Sequence, residues 1–187
     1  MTRAHLTWHT EQFGELKALE PTPECLLSHA EWLAKSYNEP FNADMMGNET
    51  LSIAADVIAY YESGQREGRR MFLLFVNDEL VGDADFRNFF SGGAEFAIAI
   101  GARGWQGKNL GTNFGIMLHS FAFDALKLDT IIAAIIPKNV GSLRMFEKLG
   151  YTRDLDNRFR EHLEDDGDVC VFLNSAQFSK VRSGYPR

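Results

Sequence analysis

Cysteine is scarce in this chain: only Cys25 and Cys170 occur, and no CxxC pair is present. That argues against a disulfide framework or a dithiol redox centre, and two buried free thiols are expected. Histidine is equally unpromising for metal, because the five residues are scattered and the nearest two, His5 and His9, fall in what reads as a strand. No metal site is expected. Long apolar runs are also missing: Met71–Val76 and Ile131–Ile136 are six residues each, against about 20 needed to span a bilayer. The N-terminal stretch has no apolar core of the kind a secretion signal needs, so the expected compartment is the cytoplasm, with no membrane partner. Cations are outnumbered, 19 Lys and Arg against 26 Asp and Glu, for a net charge of −7. Nucleic acid, which demands a basic surface, is not an expected partner.

What is present describes a folded domain. Hydrophobic residues make up 45% and charged residues 24% of 187 residues, ordinary proportions for one globular unit with a full core, so residues 1–187 are expected to form a single domain. Leu6–His9 alternates as a short strand, and prolines at 21, 23 and 40 bracket a helix over Glu24–Tyr37. Asn48 is a candidate cap for a second helix, in which Leu51, Ala54, Ala55, Ile58 and Tyr61 recur at three- and four-residue steps up to Gly64. The period then changes. Met71–Val76, Leu80–Phe90 and Glu95–Gly101 read as a three-strand meander separated by Asn77-Asp78 and Ser91-Gly92-Gly93. A long helical face from Leu110 to Leu128 precedes a strand over Thr130–Ile136, and a helix over Asn139–Leu149 stops at Gly150. Strands over Tyr151–Leu155 and Val169–Asn174 complete the order β-α-α-β-β-β-α-β-α-β-β. This is an α/β fold with a mixed sheet and helices on both faces.

The segment Gln106-Gly107-Lys108-Asn109-Leu110-Gly111-Thr112 joins a strand to the long helix. Its backbone N–H groups can converge at the positive end of the helix dipole, an anion site suited to a pyrophosphate. A P-loop would need Gly at 102 and Ser or Thr at 109, where the chain has Ala102 and Asn109. A dinucleotide fingerprint fails as well, since Gly101, Gly104, Gly107 and Gly111 never fall in GxGxxG.

With Gln106 and Gly111 at its ends, the segment resembles the acetyl-CoA loop of the GNAT superfamily of acyl-CoA N-acyltransferases. Asn109 stands where that family carries its first glycine, and asparagine tolerates the left-handed conformation better than most residues. Asn139-Val140-Gly141-Ser142, running on to Glu147-Lys148-Leu149-Gly150-Tyr151, is similar to the same family's second motif. In appearance the chain is nearest the Rim-type ribosomal-protein N-terminal acetyltransferases and their polyamine-acetylating relatives.

The resemblance implies a mostly antiparallel sheet with a splayed central strand pair, and acetyl-CoA as acetyl donor without a metal. It implies cofactor contacts from Ile98, Ala99 and Ile100, from the loop residues Gln106, Gly107, Lys108, Asn109, Leu110, Gly111 and Thr112, and from Asn139, Ser142 and Phe146. It further implies direct transfer to a primary amine of a small molecule or a protein N-terminus, with Glu95 as candidate general base. The family's usual tyrosine acid is replaced here by Phe146, which has no proton to give. Asn139 doubles as a helix N-cap candidate. The acidic run Glu161, Glu164, Asp165, Asp166 and Asp168 is either a solvated hairpin tip or a steering surface for a cationic acceptor. A non-catalytic CoA-binding module on the same fold is the alternative, and a homodimer stays open.

Overall fold

A computed structural model describes residues 3–163 and 167–185; Glu164, Asp165 and Asp166 of the acidic run lie outside them. One sheet of eight strands organises the chain, in the order β1-β2-β3-β4-β5-β6-β8-β7. The strands are β1 (His5–Thr10), β2 (Gly14–Leu19), β3 (Arg70–Val76), β4 (Glu79–Phe90), β5 (Gly93–Ile100), β6 (Thr130–Ile135), β7 (Thr152–Arg153) and β8 (Val169–Asn174). Every pairing is antiparallel except β5 with β6.

β3 shows why both faces must be covered. Its run RMFLLFV is apolar at every position after Arg70 and buried throughout, the signature of a strand enclosed on both sides. Phe72, Leu74 and Val76 enter one cluster, with Phe114, Ile116 and Leu118 of α4 (Leu110–Asp124) and Phe178 of α6 (Ser175–Arg182). Met71, Leu73 and Phe75 enter another, against Leu26, Ala30 and Leu33 of α1 (Pro23–Asn38) and Val57 and Tyr61 of α3 (Ala54–Arg66).

Several boundaries differ from the pattern in the sequence, each for a local reason. Pro40 opens a further helix, α2 (Pro40–Met46), with Glu39 as N-cap accepting from the Asn42 N–H at 2.9 Å; a proline at the first helical position needs no N–H partner. α3 begins at Ala54 because Asn38 holds Ser52 through both its backbone groups, at 2.7 and 2.8 Å, and the Asp56 carboxylate accepts from the Ile53 N–H at 2.9 Å. Residues 48–53 therefore stay outside the helix, with Leu51 81% exposed. The strand expected over Tyr151–Leu155 contracts to Thr152–Arg153, and Leu155 is 83% exposed. β2 and α6 are additions to the expected order. The two thiols are free but half-buried rather than buried.

The feature that positions the site is in the middle of the sheet. β5 and β6 pair only over Gly93–Thr130, Ala94–Ile131 and Glu95–Ile132, and then separate although both strands continue. The expected splay is thus present as a wedge beyond Glu95, and residues of α5 (Val140–Lys148) line the cleft beside it.

Candidate active site

Strand alternation aims the backbone inside the wedge. The Ala99 carbonyl faces β4 so closely that a Cβ on Gly82 would stand 1.9 Å from it. The backbone groups of Ile98 and Ile100 therefore turn the other way, to the side that β6 has left. The Ile100 carbonyl is claimed by Gln106, whose Nε2 donates to it at 2.7 Å and to Asn42 Oδ1 at 2.8 Å, while Gln106 Oε1 accepts from Arg103 at 2.5 Å. The Gln106 side chain is thus a clamp between β5, α2 and the loop. Ile98 keeps its N–H and carbonyl directed into the wedge.

The loop reaches α4 through two left-handed residues, Gly107 at φ 73° and Asn109 at φ 66°. Asn109 is in the left-handed region that glycine adopts most freely and asparagine better than most residues. No side chain caps α4, and the first backbone bond to its N-cap carbonyl comes from Asn113. The first N–H groups of α4, on Leu110, Gly111 and Thr112, therefore lie at the positive end of the dipole without a side-chain cap, on residues that border a cleft. Gly111 brings α4 close to α5: a Cβ there would lie 2.8 Å from Met145 Sδ, the flexible end of a side chain that can move aside.

These elements border a cleft of about 680 Å³ lined by Ile98–Gly101, Gln106, Gly107, Asn109–Thr112, Asn139 and Ser142. Its charged lining residues are Lys138, Arg144 and Lys148, without a carboxylate among the described residues. Lys148 Nζ donates to Asn109 Oδ1 at 2.5 Å, tying α5 to the loop. Asn139 caps α5, accepting from Ser142 N–H at 3.0 Å, and donates to the Met45 carbonyl of α2 at 3.0 Å. Lys108 is exposed outside this lining, with its ammonium 5.6 Å from the Trp105 ring. Phe146 is buried and packs on Phe96 and Tyr151, bordering the other side of the wedge.

That other side is a second cavity of about 690 Å³. It shares Met45, Met46, Ile98, Ala99, Asn139 and Ser142 with the first, so the two spaces meet across the splayed strand. Its charge is opposite: Asp56, Asp83, Asp85, Glu95 and Asp168 line it, with Arg87 as the cation among the described residues. Glu95 is buried and held, accepting from Arg87 at 3.2 Å and from Asn88 Nδ2 at 2.8 Å. Asp83 Oδ2 accepts from Tyr37 at 2.6 Å and Tyr61 at 3.2 Å. Burial foremost, and then the neighbouring charge of Asp85, push the Asp83 carboxyl up to about 6, although the tyrosine hydroxyls oppose the shift. Burial likewise raises Asp85 and keeps Tyr37 and Tyr61 protonated.

Of the expected acidic run, Asp168 lines this cavity while Glu161 is an exposed residue of the short 3-10 turn Arg160–His162. The principal acidic wall, Asp83 and Asp85, was hidden in a sequence segment that reads as an ordinary strand. Its signal is the alternation Asp83-Ala84-Asp85, which puts both carboxylates on one face.

Comparison with known proteins agrees with this geometry. Residues 16–152 match the family model described as an acetyltransferase (GNAT) domain. A probable N-acetyltransferase of Bacillus subtilis (strain 168), YjcK, is 28% identical over 126 residues, covering 63% of this chain and 69% of that protein. Among solved structures, an uncharacterized protein from Bacillus halodurans superposes with a TM-score of 0.78 at 13% identity, covering 96% of this chain and 95% of its own. The aminoglycoside acetyltransferase AAC(6')-Ib, in a structure with ribostamycin and coenzyme A, gives 0.73 at 21% identity, covering 91% and 99%. The N-acetyltransferase PseH of Campylobacter jejuni gives 0.62 at 17% identity over 86% and 98%.

Proposed function

This chain belongs to the GNAT acetyltransferase family, and from that premise we propose that it transfers the acetyl group of acetyl-CoA directly to a primary amine. The observation that carries the reading is the meeting of a cationic cleft and an anionic cavity at Ile98, Ala99, Asn139 and Ser142, between strands that have separated.

Each half suits one reactant. The uncapped first turn of α4 with Arg144 and Lys148, and with Lys138 beside its ion-pair partner Asp44, fits the phosphates of a CoA molecule. The Ile98 backbone, turned into the wedge, suits the amide groups of a pantetheine arm and the oxyanion of a thioester under attack. A cationic amine enters from the acidic side. With an ordinary pKa near 10.4, an alkylamine is almost wholly protonated at neutral pH, so one proton must leave before nitrogen can attack. A carboxylate of the acceptor cavity takes it, and Glu95, beside the opening, is one candidate. Nitrogen then bonds to the thioester carbon, the C–S bond breaks, and the departing thiolate is neutralised by the second nitrogen proton. No covalent enzyme intermediate is needed.

The test is CoA thiol release from acetyl-CoA with a panel of primary amines, repeated with Glu95→Gln. Amine-dependent release by the wild type supports the reading. Saturable CoA binding with no release for any amine would favour the non-catalytic module instead.

A further inference from the structure

The residue that α2 buries is polar. Asn42 is only 6% exposed. Phe41, Met45 and Met46 belong to neither core cluster and line the cationic cleft instead, and the two methionines line the acidic cavity as well. The helix therefore forms a wall common to both spaces without apolar burial to anchor it. Polar contacts hold it: Asn139 donates to the Met45 carbonyl at 3.0 Å, Lys138 donates to Asp44 at 2.5 Å, and Asn42 reaches into the body of the domain.

The Asn42 side chain has one workable orientation. Its Nδ2 donates to the Ser36 carbonyl near the end of α1 and to the Gly101 carbonyl just past β5, both at 2.9 Å. Neither carbonyl can donate, so a flipped amide would set oxygen against oxygen. Oδ1 is thereby fixed toward Gln106, whose Nε2 must face it at 2.8 Å and the Ile100 carbonyl at 2.7 Å. Gln106 Oε1 is left for Arg103, and Arg103 returns to α2, its guanidinium carbon 3.9 Å from the centre of the Phe41 ring. The circuit of contacts closes on itself in a tight space, for a Cβ on Gly101 would stand 1.8 Å from Ser36 Oγ.

We propose that Asn42 is a positioning residue for acetyl transfer: by dictating the polarity of the Gln106 amide it fixes the start of the loop that leads to α4, and with it the affinity for acetyl-CoA. This rests on the acetyl-CoA reading of the cleft and adds to it a residue of α2 that stands 64 positions from the one it directs. Asn42 acts through Gln106 rather than on the thioester. Replacing it with an apolar residue of similar size orphans two carbonyls and one Gln106 N–H, and frees the Gln106 amide to turn.

The experiment titrates acetyl-CoA by calorimetry into wild type, Asn42→Leu, Gln106→Leu and the double variant, at a temperature where circular dichroism shows each folded. Asn42→Leu should raise the Kd about tenfold. Because the two residues act as a unit, the double variant should bind within about twofold of Gln106→Leu alone. An unchanged Kd in folded Asn42→Leu, or losses that multiply in the double variant, would overturn the inference; a residue with a merely structural role gives one of those two results while still lowering the unfolding midpoint. Asn42→Ala enters the same cycle where the leucine variant does not fold. A second readout needs no ligand. The Gln106 and Asn113 amides hold the two ends of the loop through the Arg103 and Asn109 carbonyls, at 3.3 and 3.2 Å, and their hydrogen exchange should quicken about tenfold in the Asn42 variant relative to amides of β3. Should wild type bind no acetyl-CoA, the acetyl-transfer reading falls separately, and equal exchange in variant and wild type would overturn the positioning role.

Discussion

Acid should weaken this fold through one buried histidine. His119 of α4 has 0% exposure and sits among Phe86, Phe96 and Phe178 directly beneath the wedge. Its Nδ1 faces the Gly115 carbonyl at 2.6 Å, so Nδ1 must carry the proton and donate. Nε2 therefore accepts from the Tyr151 hydroxyl at 2.5 Å, and the ring is neutral. Burial lowers its pKa from 6.5 to about 3. Because the folded value is below the unfolded one, the unfolded state binds the proton more readily. Stability from this group is intact above about pH 6.5 and declines as pH falls from there towards about 3. Applied to those two values, linkage gives a loss of about 2 kcal/mol between pH 7 and pH 5. Asp83 works in the opposite sense: its carboxyl, raised from 3.8 to about 6, costs stability at neutral pH. That cost is relieved by about 1 kcal/mol over the same interval. Denaturant unfolding of wild type, His119→Gln and Asp83→Asn at pH 7, 6 and 5 separates the two. Relative to wild type, His119→Gln should lose less stability on acidification and Asp83→Asn should lose more. Parallel stability curves for wild type and His119→Gln would refute the assignment of a neutral, buried imidazole.

Three other expectations follow from the cleft. Arg144→Ala and Lys148→Ala should each raise the Kd for acetyl-CoA by about three- to tenfold at low ionic strength, with a smaller effect at high salt, read by calorimetry. Asn109→Ala places an ordinary side chain at φ 66° and should cost about 1 kcal/mol in denaturant unfolding, whereas Asn109→Gly should cost less because glycine adopts that conformation freely. Gln106→Leu leaves the Ile100 carbonyl and Asn42 Oδ1 without their donor and should cost about 2 kcal/mol and weaken acetyl-CoA binding, measured on the same samples.

How legible this was in the sequence depended on the range of the forces involved. β3, β4, β5 and α4 stand out because their apolar periods are long and uninterrupted. α2 did not, since Pro40 reads as a break until Glu39 is seen to cap it. β2 is recognisable only through its antiparallel partners β1 and β3. The loop from Gln106 to Thr112 and the Asn139 cap were readable because local spacing defines them. By contrast, the charge separation was not readable: Lys138, just before α5, and Lys148, its last residue, reach the same cleft, while Asp83 and Asp85 line the opposite cavity only through the fold around β4. Glu95 was visible as a strand-end carboxylate, but its ties to Arg87 and Asn88 depend on the β4–β5 register.

The central claim is that the cleft at the N-terminus of α4 receives acetyl-CoA, and calorimetric titration of the purified protein tests it most directly. Wild type should show one saturable site of micromolar affinity, worth about 8 kcal/mol. Gly111→Trp, which fills the cleft where a Cβ already approaches Met145 at 2.8 Å, should abolish it while circular dichroism shows the fold retained. Absence of binding by wild type at several hundred micromolar, or undiminished binding by a folded Gly111→Trp, would contradict the account.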